Sequence, residues 1–218
     1  LVSILKMSLI KKYFPQLTHG QFNKLSQFEK HMIEWNKKIN LISRNDIENF
    51  ETNHILHSLS INKLISFKPK TKIMDLGTGG GLPGIPLSII FPESIFHLVD
   101  RKEKKIIALN SMVTELQLQN VTVHRSDANN ISDQFDFILN RAVGSAENII
   151  RICRNKIKEK SFNKMSNGII CLKGGELERE FKNVSGHKII HLNKFFMESF
   201  FQTKKIIHIP IPYTHKGN

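Results

Sequence analysis

A chain of 218 residues, 40% of them hydrophobic, is long enough to build one core domain, and this composition excludes a disordered or fibrous polypeptide. Its 32 Lys and Arg against 19 Asp and Glu give a formal charge of +13, which points to a polyanion as partner, nucleic acid first. A solvated basic surface without a partner accounts for the same excess. The two cysteines, Cys153 and Cys171, stand in no metal-ligand spacing, which excludes a disulfide scaffold and a Cys/His metal centre and fits a reducing cytoplasm.

Taken in chain order, the apolar run Leu1-Val-Ser-Ile-Leu5 is broken by Lys6. It has neither the basic leader and cleavage site of a signal peptide nor the length of a membrane span. With Met7 directly after it, the run reads as an appended or upstream segment. Over residues 22–41 the apolar positions Phe22, Leu25, Phe28, Met32, Trp35 and Ile39 recur every three or four residues, which predicts an amphipathic helix. A second helical stretch is predicted over 46–66. No strand-like alternation precedes Thr71, so residues 1–68 read as a helical cap, joined through Lys68-Pro-Lys70 to a second unit spanning 69–218.

That second unit alternates short apolar runs with helical segments, as a doubly wound α/β sheet requires. Strands are expected at 72–76, 95–99, 121–124, 135–139, 168–172, 188–192 and 204–209, with helices at 83–91, 102–116, 146–157 and 175–181. The last two strands have no helix between them. This predicts a seven-stranded, mostly parallel sheet closed by an antiparallel hairpin.

The stretch Met74-Asp-Leu-Gly-Thr-Gly-Gly-Gly-Leu-Pro-Gly-Ile-Pro86 follows the first strand and carries two overlapping nucleotide-binding frames. Residues 75–81 spell Asp-x-Gly-x-Gly-x-Gly, as in S-adenosylmethionine sites. Residues 79–84 spell Gly-x-Gly-x-x-Gly, as in dinucleotide sites. Both frames let the backbone turn tightly and approach a ligand at a helix start near Leu82-Pro83. Asp100, at the end of the second strand and 21 residues after Gly79, suits ribose hydroxyls in either case. Asp75 separates them: a carboxylate there would repel a pyrophosphate but complement the ammonium and sulfonium of S-adenosylmethionine. Asp75, Gly77, Gly79, Gly81 and Asp100 therefore favour the methyl donor, and Asp75 with the closing hairpin argues against an NAD oxidoreductase. A tight strand-to-helix turn with no ligand remains the plain alternative.

Two further strand ends border the same crevice. Arg125-Ser-Asp-Ala-Asn129 offers Asp127 to an adenine or, equally, as a helix cap. Asn140-Arg141 lies where a methyl acceptor would sit, though Arg141 also suits a structural ion pair. Lys37, Lys38, Arg44, Arg101, Lys102, Lys104, Lys105 and Lys173 are candidate phosphate contacts. The run 101–105 reads as evenly as the solvated start of a helix, and Trp35 as core more than as a stacking platform. His54 and His57 on the cap read as packing or cap-to-core hydrogen-bonding groups rather than proton carriers.

A set of motifs then resembles one family in order and spacing over about residues 8 to 209. These are Trp35-Asn-Lys-Lys-Ile-Asn-Leu-Ile-Ser43, His54-Ile-Leu-His-Ser-Leu59, Asp75-Leu-Gly-Thr-Gly-Gly-Gly-Leu-Pro-Gly-Ile-Pro86, Leu98-Val-Asp100 with Lys104-Lys105, Asn140-Arg-Ala142 and Leu172-Lys-Gly174. The family is RsmG, also called glucose-inhibited division protein B. The resemblance implies a Rossmann-like class I methyltransferase, S-adenosylmethionine as cofactor, no metal, and methylation of N7 of one guanine in 16S ribosomal RNA of the small subunit. It implies a cytoplasmic enzyme without a membrane partner, expected as a monomer. Gly77 and Leu82 then match donor contacts, Ala128 and Asn129 the adenine end, Asp100 the ribose-binding acid, and Arg141 the arginine that closes the site. The chain departs from the family pattern at Asn129, where an acid is common, at Asn140 for Ser, at Arg101 for Ser, and at His57 for Asp. Guanine N7 carries a lone pair and no proton, so no general base is expected, and alignment would carry the catalysis. A methyltransferase for another RNA or a small molecule, or a non-catalytic RNA-binding relative, are the alternatives.

Overall fold

The computed structural model describes residues 7–43, 46–141 and 144–211. Residues 1–6 and Arg44, one of the expected phosphate contacts, lie outside them.

The chain enters through a short helix, α1 (Ser8–Tyr13), followed by the long α2 (His19–Lys38). Sequence periodicity places α2 three residues too late because its first turn is set by polar chemistry. The Thr18 side chain accepts from the Gln21 N–H, and the Gln21 side chain accepts from the Thr18 N–H, a reciprocal cap. The second cap segment runs as a π-helix (Glu51–Leu56), α3 (His57–Leu59) and a 3-10 turn (Ser60–Lys63). Glu51 Oε1 accepts from the Leu9 and Ile10 N–H groups and fastens α1, whose six residues carry no periodic signal of their own.

The remaining elements are β1 (Lys72–Leu76), α4 (Gly84–Ile90), β2 (Ile95–Asp100), α5 (Glu103–Glu115), β3 (Val121–Arg125), β4 (Phe137–Arg141), α6 (Ala146–Cys153), β5 (Gly168–Gly174), α7 (Glu178–Phe181), β6 (Lys188–His191) and β7 (Lys204–Pro210). They form a seven-stranded sheet of order β3-β2-β1-β4-β5-β7-β6. β1 to β5 pair in parallel, and β7 runs antiparallel to both β5 and β6. The expected closing hairpin is present, with β7 slotted inside β6 rather than beyond it.

Side chains alternate across the strands, so each strand feeds two cores. Ile73, Phe96, Leu98, Phe137, Leu139, Ile170, Leu172 and Ile206 pack toward the cap, α4 and α5. Met74, Leu76, Val99, Ile138, Ile169, Cys171, Ile207 and Ile209 pack toward α6 and α7. The cap shares the first of these clusters, which also contains Leu25, Phe28, Met32, Ile55, Leu56 and Leu59. The change at residues 68–70 is therefore a change of element type across a continuous core.

The turn from β1 into α4 is tight. Gly77, Gly79 and Gly81 take left-handed φ values of 67°, 60° and 86°, where a side chain is strained. Gly84, the first residue of α4, has ordinary φ but no room: a Cβ there would lie 2.3 Å from Leu98 Cδ2 and 2.8 Å from Asp75 Oδ2. Gly84→Ala is expected to destabilise the fold by about 1–3 kcal/mol through overpacking, read as a lower midpoint in chemical denaturation.

Candidate functional site

Two cavities open along the edge of the sheet where β1 to β5 end, the position at which open α/β sheets bind ligands. The first, of about 560 Å³, lies outside β1, β2 and β3 and is walled by Gly77, Val99, Asp100, Ala128 and Ile149 among others. The second, of about 470 Å³, lies under the cap and outside β4, β5 and the start of β7, with Arg141, His54, Phe200 and Lys204 in its wall. Leu76 of the first cavity pairs in register with Asn140, whose neighbour Arg141 belongs to the second. One strand spacing, about 4.8 Å, separates the strands that carry these residues.

In the first cavity Asp100 Oδ2 accepts from the Gly79 N–H at 3.1 Å and Oδ1 from the Lys102 N–H at 2.9 Å, with Lys105 Nζ 3.7 Å away. Each carboxylate oxygen keeps acceptor capacity for a further donor. Asp127 caps the turn Ala128–Asn130 by accepting from the Asn129 N–H, and also receives Arg101 Nη1 at 3.2 Å. The cap reading of Asp127 is met, and Asp127, Ala128 and Asn129 also line the wall. These bonds lower the Asp127 carboxyl below its usual range, the Asn129 backbone N–H being the largest cause. Apolar Val99, Ala128, Ile149 and Ile152 line the same cavity as these polar groups. The α6 contribution, with Asn148, Ile149 and Ile152, is missing from the sequence-derived set. Its signal was the apolar spacing of Ala146, Ile149, Ile150 and Cys153, which identifies a packed helix but not which end meets a ligand.

The glycine-rich loop does not present all its residues to this cavity. Gly77 lines it, whereas Leu82 is buried in the cap-side core and a Cβ on Gly81 would strike Ile85. Asp75, expected to face the ligand, is fully buried on the cap side of β1, because side chains alternate and its neighbour Leu76 takes the cavity side. Its Oδ2 accepts from Thr78 Oγ1 at 2.7 Å and from the Gly84 N–H at 2.8 Å, which fixes both ends of the loop. Burial pushes the Asp75 carboxyl up to about 6, against the opposing pull of the Thr78 and Gly84 hydrogen bonds and the Arg141 charge. The folded state therefore holds this proton more tightly than the unfolded chain, whose carboxyl titrates at 3.8. The group's contribution to stability is full below about pH 4 and lost as pH rises through about 6. Denaturation series on wild type and Asp75→Asn should show the wild type losing stability relative to the variant across that window.

In the second cavity Arg141 bridges sheet and cap. Its Nη1 donates to the Asn53 carbonyl at 3.4 Å, and its Nη2 meets His54 Nδ1. Burial lowers the guanidinium to about 10, opposed by the Asp75 charge, so it stays cationic at neutral pH. His54 is pushed down to about 3 and His57 well below the usual imidazole range, in both cases by burial first and the Arg141 charge second. Neither is a proton carrier at neutral pH, and His54 is the cap-to-sheet hydrogen bond expected of it. Lys173, expected to contact phosphate, is instead mostly buried: its Nζ donates to Glu180 Oε1 at 2.5 Å and to the Gly144 carbonyl at 3.1 Å.

Of the other basic positions, Arg101, Lys102 and Lys105 line the first cavity, Lys104 is exposed on α5, and Lys37 and Lys38 are exposed at the end of α2. Lys38 Nζ lies 4.8 Å over the Trp35 ring, which packs on the core. Sequence reasoning missed Lys204 and Phe200, which reach the second cavity only because β7 is reversed and pairs its first residue, Lys204, with Gly174. Among the described residues no cluster of His, Cys, Asp and Glu could hold a metal ion, and no helix is long and apolar enough to cross a membrane.

This sheet order, with both cavities at one edge, defines the class: a Rossmann-like class I methyltransferase. Solved structures show the same fold at low identity. A precorrin-6y C5,15-methyltransferase from Geobacter metallireducens superposes with a TM-score of 0.54 at 15% identity, covering 79% of this chain and 91% of that one. A SAM-dependent O-methyltransferase from Thermotoga maritima gives 0.56 at 13%, covering 78% and 72%. The family model described as GidB, rRNA small subunit methyltransferase G, matches residues 21–207. A ribosomal RNA small subunit methyltransferase G from Bacteroides thetaiotaomicron is 48% identical over 206 residues, covering 94% of this chain and 100% of the relative. The chain belongs to the rRNA small subunit methyltransferase G family.

Proposed function

We propose that this protein transfers the methyl group of S-adenosylmethionine to N7 of a guanine in 16S ribosomal RNA, with the donor in the Asp100 cavity and the acceptor base in the Arg141 cavity. The observation that carries the reading is the adjacency of the two cavities across the paired ends of β1 and β4. The first cavity fits the donor: a carboxylate with spare acceptor capacity for ribose hydroxyls, a slot with apolar walls for adenine, and Gly77 in a conformation that brings bare backbone to the ligand. In this reading Asp100, Ala128, Asn129 and Gly77 touch the donor. Asp75, Gly79, Gly81 and Leu82 shape the loop from behind.

S-adenosylmethionine supplies an electrophilic methyl on a sulfonium, and guanine N7 an in-plane lone pair with no proton to remove. The residues of this chain therefore have to align and exclude water rather than move a proton. Arg141, held from the cap side by Asn53 and His54, positions the acceptor, and neutral His54 and His57 accord with a step that needs no base. Exposed Arg101 and Lys102 at the first cavity, with exposed Lys37, Lys38 and Lys104 elsewhere on the surface, suit the phosphates of the small-subunit RNA. N7 is shielded in the deep, narrow groove of A-form RNA, so a single-stranded or distorted target is expected. The helical segments before β1 serve as the cap over the acceptor cavity, through Asp46, Asn53, His54 and His57. We expect a monomer, and an RNA substrate of this kind accords with a cytoplasmic enzyme.

The test is to incubate the protein with methyl-labelled S-adenosylmethionine and either small ribosomal subunits or naked 16S RNA, then digest to nucleosides. Label in 7-methylguanosine supports the reading. Label in any other nucleoside, or none in RNA, overturns it.

A further inference from the structure

The acceptor cavity contains a buried hydrogen-bond donor with no acceptor among the described residues. Arg141 can only donate, so its contact with His54 Nδ1 makes that nitrogen the acceptor. The neutral imidazole then carries its single proton on Nε2. His54 is 4% exposed, it lines the cavity, and its Nε2 has no hydrogen-bond partner among the described residues. Arg141 therefore locks the tautomer that carries the N–H on Nε2, an atom sealed from solvent, and a buried donor of this kind is costly to leave unmet. The ring is held against rotation by Phe50, whose centroid lies 5.1 Å away. The charged groups in the wall are Arg141, Lys173 and Lys204 against Asp46 and Glu180; Glu180 pairs with Lys173, and the remaining balance of Arg141 and Lys204 over Asp46 favours an electron-rich atom at this place.

We propose that His54 Nε2–H donates to the carbonyl oxygen O6 of the acceptor guanine and is a specificity-determining residue of this enzyme. The inference rests on the assignment of this cavity to the acceptor base and deepens it. O6 lies beside N7 on the same edge of guanine, so a base that turns N7 toward the donor cavity turns O6 toward the neighbouring wall. Adenine presents an amino donor at the equivalent position, which would meet the imidazole N–H donor to donor. His54 thus selects guanine over adenine by the sign of one hydrogen bond, while Arg141 does double duty by fixing the tautomer.

The test combines two variants with one altered base in the labelled-methyl assay. His54→Phe keeps the ring but removes the donor, and His54→Gln retains an amide donor. The target guanosine, once mapped, is replaced in a 16S transcript by 2-aminopurine riboside, which keeps N7 and lacks O6. Donor binding by calorimetry should stay within about twofold of wild type for both variants, showing that fold and donor cavity are intact. On guanosine RNA, kcat/KM should fall about tenfold or more for His54→Phe and less for His54→Gln. On 2-aminopurine RNA the wild type should lose a comparable factor, and His54→Phe should lose nothing further. Full activity of His54→Phe on guanosine RNA, or losses that simply multiply when both changes are combined, would overturn the inference while leaving the proposed reaction standing. Absence of transfer by the wild type would instead overturn that reaction, and the inference with it.

Discussion

Asp100→Ala is expected to weaken S-adenosylmethionine binding about 100-fold, measured by calorimetry, while the protein remains folded. Hydrogen bonds from ribose hydroxyls to a carboxylate contribute roughly 1.5–3 kcal/mol each, and 1.4 kcal/mol corresponds to a tenfold change in Kd. Two such bonds at the low end of that range, about 3 kcal/mol together, account for the expected loss. The same carboxylate also receives the N–H groups of Gly79 and Lys102, so its removal loosens the loop that carries Gly77. Asp100→Asn keeps one acceptor oxygen, and its loss should be smaller, about tenfold. An alanine variant that binds the donor as tightly as wild type would remove Asp100 from the donor site.

Arg141→Ala is expected to act on the other side of the reaction, lowering kcat about 100- to 1000-fold, the scale seen when one pre-organised polar group is removed from an active site. Donor affinity should stay within about threefold, because Arg141 lines the second cavity and its side-chain hydrogen bonds go to Asn53 and His54, neither of which lines the first. Arg141→Lys should recover little. A lysine cannot reproduce the planar fork that meets Asn53 and His54 together. Equal loss of donor affinity in Asp100→Ala and Arg141→Ala would contradict the division of labour between the cavities.

Much of the fold was legible because the sheet announces itself in short apolar runs. β1 runs over the residues expected of it, and β2 and β3 extend their runs by one residue; in β1, buried at every position from Ile73 to Leu76, burial on both faces leaves little freedom in where the strand lies. The reversal of β7 was legible from a missing helix, but its insertion between β5 and β6 was not, because strand order depends on long-range pairing that no local pattern encodes. α1 was silent for the same reason: Glu51, 42 residues from Leu9, holds it.

At the site, Asp100, Gly77 and the segment from Asp127 to Asn129 were brought together as the motifs indicated. Asp75 was identified as decisive but for the wrong contact. A one-residue alternation on β1 sends it to the cap side, where it organises the loop and shares the field of Arg141 rather than meeting the ligand's charge. Lys173 shows the complementary limit, since composition marks it as basic and only the fold reveals Glu180 beside it. The acceptor cavity was the least legible part. It joins Asp46, His57, Arg141 and Lys204, drawn from two cap segments, a parallel strand end and a reversed strand start.

The most direct test of the two-cavity account is a crystal structure of the protein with S-adenosylmethionine bound. The ribose hydroxyls should lie within hydrogen-bond distance of Asp100, the adenine between Ala128, Asn129 and Ile149, and the sulfonium methyl should point across the end of β1 toward Arg141. A donor seated under the cap against His54 and Arg141, or one whose methyl points away from that cavity, would contradict it.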